Sequence, residues 1–172
     1  MASSSLEASA KVANLEGSIR QYIADNLTAT FSTIDYGSGQ PFEDTVLSEW
    51  LQVRLLESAR PVSMDGPRAP DGLLGRELFV MLNLNIFIRP AKLGTLSTLR
   101  LQTLRDTVLV YFRPLTKIRV KDYAGDSATI GNLLMQTIAA DRLVMAPTRE
   151  QELLQWNLTL AFRWSETTAE TQ

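Results

Sequence analysis

The sequence predicts an α+β fold, a mostly antiparallel twisted sheet with two helices packed on one face, in a single domain over residues 1–172. Three observations predict it. Two stretches, 6–27 and 97–113, carry apolar residues three and four apart, as a helix with one buried stripe does. Two others, 76–89 and 152–164, alternate apolar residues at the period of a half-buried strand. The order helix, strand, strand, helix, strand, strand then implies two helices laid against one sheet.

Each element follows from its residues. Positions 1–5 are small and polar, and a loose end is expected there. Val12, Leu15, Ile19 and Ile23 give the first helix its stripe. FSTIDYGSGQPFED (31–44) turns to loop chemistry, punctuated by Gly37, Gly39 and Pro41. SEWLQVRLLE (48–57) sets Leu51, Val53 and Leu55 against Trp50, Gln52 and Arg54, the pattern of a strand. Residues 58–75 hold three Pro and three Gly and read as a long irregular loop, functional or mobile at that length.

RELFVMLNLNIFIRP (76–90) is the most unusual stretch. Leu78, Val80, Leu82, Leu84, Ile86 and Ile88 form an aliphatic row. Phe79, Met81, Asn83, Asn85, Phe87 and Arg89 form a row that is neither clean core nor clean solvent face. At roughly 3.3 Å per residue the aliphatic row spans about 36 Å, well beyond an ordinary strand. The second helix, 97–113, has Leu101, Leu104, Val108, Tyr111 and Phe112 within one face and stops at Pro114. IRVKDY (118–123) reads as a short strand, AGDSATIG as a turn region, and NLLMQTIAA (132–140) as a strand. DRLVMAPTRE (141–150) reads as a loop. ELLQWNLTLAFRW (152–164) is a strand with Leu154, Trp156, Leu158, Leu160, Phe162 and Trp164 on one side. The polar tail 165–172 is expected to be loose.

Composition removes most enzyme chemistry. With no Cys there is no disulfide, thiolate nucleophile or cysteine-ligated metal, and with no His there is no Ser–His or Cys–His pair and no HExxH zinc site. Seventeen basic against 19 acidic residues leave a net charge of −2, with no basic excess to mark a nucleic-acid partner. Thirteen of the 17 cations are Arg, the side chain suited to fixed contacts at interfaces. The start MASSSLEASAK lacks a charged n-region and an apolar h-region, so no secretory signal is expected, and no apolar run is long enough to span a membrane. No catalytic residue, cofactor or metal site is expected.

The remaining constellations favour structural readings. Asp122 and Asp126 flank a Gly-containing turn, where Asp commonly serves the turn itself. GSG at 37–39 lacks the spacing and Lys of a phosphate loop. Glu43, Asp44 and Glu49 around Trp50 could frame a sugar, but a partly buried Trp at a strand start explains them more simply. The ions Arg54, Glu57, Arg76, Glu77, Arg89 and Arg163 make a solvated face or pair between subunits.

PFEDTVLSEWLQVRLLE (41–57), the Gly/Pro loop 61–75, the long strand 76–90, KLGTLSTLRLQTLRDTVLVYF (92–112), VKDYAGDSATIGNLLMQT (120–137) and QELLQWNLTLAFRW (151–164) together resemble the tail-terminator (tail-completion) proteins of long-tailed bacteriophages. The resemblance covers roughly residues 12–164. It implies a ring-forming subunit, usually six to a ring, that sits on the last ring of the tail tube, ends polymerisation and presents a surface to the head-side connector protein. Its partners would be copies of itself, the tail tube protein, the connector, and DNA passing through the lumen without sequence recognition. No membrane is involved. Its place would be the head-proximal end of the virion tail, after assembly in the host cytoplasm.

On that reading the subunit or tube interface comprises Arg54, Glu57, Arg76, Glu77, Phe79, Met81, Asn83, Asn85, Phe87, Arg89 and Lys92. Met64, Asp65, Arg68 and Asp71 lie in a docking loop. Rival readings are a neck or head-closure ring, a contractile-injection-system cap, and a monomeric protein-binding module. A carboxylate hydrolase would need two acids about 5 to 10 Å apart in one cleft.

Overall fold

Strict alternation in two long strands dictates a sheet with one greasy face, and that face needs a cover. The computed structural model describes residues 5–6, 12–37, 47–62, 74–90, 97–123, 129–145 and 153–169. Its elements are β1 (Ser5–Leu6), α1 (Val12–Leu27), β2 (Ile34–Asp35), β3 (Glu49–Val62), β4 (Leu74–Ile88), α2 (Ser97–Tyr111), β5 (Lys117–Lys121), β6 (Thr129–Met145) and β7 (Leu154–Ala169). The strands form one sheet in the order β2-β3-β4-β7-β6-β5, with β1 against the far end of β7. Among the described residues only β2 and β3 run parallel, and every other pairing is antiparallel.

The centre of the sheet is β4 against β7, in unbroken register from Leu74↔Thr168 to Ile88↔Leu154. This register brings Val80, Leu82 and Leu84 opposite Phe162, Leu160 and Leu158. With Leu51 and Val53 of β3 they make a continuous apolar floor, buried to 5% exposure or less. Both helices cover it. α1 contributes Leu15, Ile19, Ile23 and Leu27, one residue per turn, and α2 contributes Leu101, Leu104 and Val108, followed by Phe112. Phe112 sits edge-on to both Tyr22 and Phe162, tying the two helices to the sheet through one ring. Each buried side chain of this size stabilises the fold by about 1.5–3 kcal/mol.

α1 also closes the gap between the outer strands. On one flank Arg20 stacks over Tyr36, just past β2. On the other, Ser18 Oγ accepts the Lys121 N–H at 2.9 Å and Asn14 Oδ1 accepts the Tyr123 N–H at 3.0 Å, so side chains of the helix satisfy backbone groups at the edge of β5. Gly17 permits this approach: a Cβ there would come within 2.8 Å of the Tyr123 ring.

Several expectations are corrected by pairing. Strand β3 runs on to Val62 through part of the stretch expected as loop, carried by Ser58↔Phe79 and, past an irregularity, Val62↔Glu77. Strand β6 extends through 141–145, also expected as loop, because those residues pair with Leu154–Leu158. At the chain ends, where loose tails are expected, Ser5–Leu6 pair with Thr168–Ala169. Leu6, expected as the start of a helix, is in that strand, and α1 is described from Val12.

Candidate functional site

The opposite face of the sheet carries no described helix and is built from the second row of each strand. Trp50, Gln52 and Arg54 stand on β3. Phe79 to Phe87 at odd numbers stand on β4, and Arg89 lies just past its end. Gln155, Asn157, Thr159, Ala161 and Arg163 stand on β7. The register aligns Gln52, Asn85 and Asn157 across three strands. Their amides join. Gln52 Nε2 donates to Asp35 Oδ2 at 3.1 Å, and Asn85 Nδ2 to Gln52 Oε1 at 3.3 Å. Asn85 Oδ1 in turn accepts from Gln155 at 2.9 Å and from Asn157 at 2.8 Å. Asn157 also donates to Asn83, and Thr159 donates to Asn157. Asn85 and Asn157 are only 8% and 7% exposed, so this ladder is buried among its own neighbours.

The ladder ends at an ion pair. Arg54 Nη2 meets Asp35 Oδ2 at 2.8 Å, and the Gly37 N–H donates to Asp35 Oδ1 at 2.7 Å. Burial works to raise the Asp35 carboxyl, but the hydrogen bonds from Arg54, Gly37 and Gln52 outweigh it and hold the group below its usual value. Gly37 has φ +69, and a Cβ there would press within 2.7 Å of the Arg54 guanidinium.

Apolar patches flank the ladder. Trp50 stacks flat on Phe87, rings 4.9 Å apart and 12° from parallel. Beside them Arg89, 8% exposed, donates from Nε to the Leu47 carbonyl at 3.3 Å. At the other end Phe79, Met81 and Ala161 are half-buried, with Met81 directly across from Ala161. This face is therefore apolar, amide, apolar along β4. Its most buried polar groups have their hydrogen bonds already, and its apolar ends are left part-open.

The structure brings Arg54, Phe79, Met81, Asn83, Asn85, Phe87 and Arg89 together on this one face. Glu57 stands opposite Val80, and Arg76 and Glu77 stand opposite Glu166 and Ser165; their side chains lie outside the described part. Lys92, and the docking-loop residues Met64, Asp65, Arg68 and Asp71, lie outside the described residues, as do Asp126, Glu43 and Asp44. Glu49 and Trp50 do not frame a ligand. Alternation sends Trp50 into the stack with Phe87, while Glu49 takes a two-pronged contact from Arg100 of α2 at 2.7 and 2.9 Å. Asp122 accepts from Asn14 at 3.2 Å, a tie between α1 and the end of β5.

Sequence reasoning missed Asp35, Gln52, Gln155 and Asn157 as members of one network. Amides recurring in the mixed rows are the signal, but only register shows that they meet. It also missed a cluster on the helix side, where Arg105 of α2 holds Asp141 and Asp106 and lies over Trp156, whose Nε1 donates to Asp141 at 2.7 Å. The hydrogen bonds from Arg105 lower the Asp141 carboxyl against the effect of burial.

Among the described residues no helix is long and apolar enough to cross a membrane, and no group of three or more acids is placed to hold a metal ion. No protein-family model and no curated protein matches the chain.

Proposed function

We propose that this chain is a structural subunit that assembles, six to a ring, on the head-proximal end of a phage tail tube. There it stops tube growth and offers its far side to the head-tail connector. The observation that carries this reading is the helix-free face of β3, β4 and β7. A solvated sheet face ordinarily alternates to charged and polar residues, but here half-buried Phe79, Met81 and Phe87 lie along it. Cover from a neighbouring subunit would remove that apolar surface from water at no polar cost, since the amides between are already paired. The reading also draws on the tail-terminator resemblance of the sequence.

On this reading the chain performs no catalysis. One side of the ring copies the docking surface of a tube subunit and the other does not, so addition ends. The ladder is uncharged, and Arg54 is balanced by Asp35. Where the ladder faces the lumen it has little attraction for phosphate, which suits DNA in transit without sequence recognition. The ring would belong to the virion tail and assemble in the host cytoplasm.

The test is to add the purified chain, below stoichiometric amounts, to polymerising tail-tube protein and image the products by negative stain. Shorter tubes with extra density at one end are expected. Tubes of unchanged length and bare ends would contradict the reading.

A further inference from the structure

Strand β5 ends the sheet, and its outer edge is only half covered. Leu115 N–H and Thr116 O bond to Met135 on β6, and the backbone groups of alternate residues point away from β6. At Lys121 and Tyr123 the outward N–H groups are taken by Ser18 and Asn14 of α1. Farther along, α1 draws away and leaves a cleft of about 300 Å³ between Gln21, Tyr22 and Asp25 on the helix and Lys117, Arg119 and Lys121 on the strand. No described residue bonds the outward backbone groups of Lys117 and Arg119.

The charges on this edge are equally unmatched. Ile118 and Val120 are buried in the core, so Lys117, Arg119 and Lys121 share the other side of the strand. None has an ion-pair partner among the described residues, whereas five other arginine–carboxylate contacts are made elsewhere. The acid in the cleft, Asp25, is on the helix side and takes the Gln21 amide at 2.6 Å.

We propose that this edge is a docking strand for an extended acidic segment of a protein partner, which adds to the sheet beyond β5. An added strand supplies both acceptors and donors for the open backbone groups, where a phosphate would supply acceptors alone. Residues two apart on neighbouring strands face the same side, so acids at every second position meet Lys117 and Arg119, and the last acid reaches the Lys121 side chain from beyond the open part of the edge, whose Lys121 N–H is held by Ser18. The residues between them face Tyr22 and Asp25, where a further acid would be repelled. The recognised pattern is therefore acid, apolar, acid, apolar, acid. This inference stands apart from the ring reading and does not depend on it.

The experiment uses the full chain and the labelled, end-capped peptide Glu-Val-Glu-Val-Glu, with Glu-Glu-Glu-Val-Val as a control of equal charge. Binding is followed by fluorescence anisotropy, and hydrogen exchange reads the Lys117 and Arg119 amides. The alternating peptide is expected to bind at least about tenfold tighter than the control and to slow exchange at both amides. The double substitution Lys117→Glu/Arg119→Glu, at two exposed side chains, should lower affinity by about tenfold or more while leaving the circular dichroism spectrum unchanged. Equal binding of the two peptides, or binding without amide protection, would overturn the proposal as mere charge attraction. So would tight binding of a single-stranded DNA oligonucleotide that the double substitution abolishes, which would make the edge a nucleic-acid site. Protection of both amides at high protein concentration without peptide would overturn it in favour of a second copy of this chain.

Discussion

Asn157 sits near the middle of β7 and gives its amide hydrogens to Asn83 and Asn85. At 7% exposure it has little water to fall back on. Asn157→Ala strips donors from buried acceptors, and urea unfolding should show a loss of about 1–3 kcal/mol. Arg142→Ala, at an exposed side chain in register with Asn157, should change stability by less than about 0.5 kcal/mol. Asp35 makes a separate prediction through pH. Its carboxyl is held below the usual 3.8, so the folded chain binds that proton less readily than the unfolded chain. The resulting stability is present above the unfolded value and is lost as pH falls through the lowered one. Asp35→Asn should therefore flatten the decline in stability at acid pH, measured as unfolding midpoints on either side of the transition. None of these residues drew attention alone in the sequence, because an amide or a lone Asp says nothing until register supplies its partner.

The elements were legible where periodicity was strong and poorly bounded where it was not. Leu78–Ile88 and Leu154–Trp164 alternate without exception, and both are strands; the stripes of α1 and α2 are equally clear. The ends failed for a physical reason. Ser58–Val62 and Asp141–Met145 carry Pro or charges that favour a loop locally, but a paired neighbour supplies ladder bonds that override the preference. Two-residue strands such as Ile34–Asp35 have no period to read. The turn from α2 to β5 makes a prediction of its own. Leu115 is 71% exposed with φ 70, and the Thr116 N–H returns to the Arg113 carbonyl at 2.9 Å. That left-handed position suits Gly, so Leu115→Gly should raise stability by up to about 1 kcal/mol in thermal unfolding. Ile23→Ala, which empties a fully buried site under α1, should cost about 2–5 kcal/mol in the same assay.

At the scale of the molecule the two faces of the sheet differ in what completes them. The helix face is finished within the chain by α1 and α2. The other face is finished in its middle by the amide ladder and left part-open at Phe79 and Met81. Phe87 is a poor probe of association, because its stack on buried Trp50 would fail with it. Met81 is the better one, half-buried and opposite Ala161. On this reading the part-open face is covered by another subunit. Sedimentation velocity of the native chain and of Met81→Asp over a wide range of concentration, with circular dichroism of both, reads that cover. A closed assembly of several copies is expected for the native chain and a folded monomer for Met81→Asp. A native chain that stays monomeric throughout, or a variant that assembles as the native chain does, would contradict it.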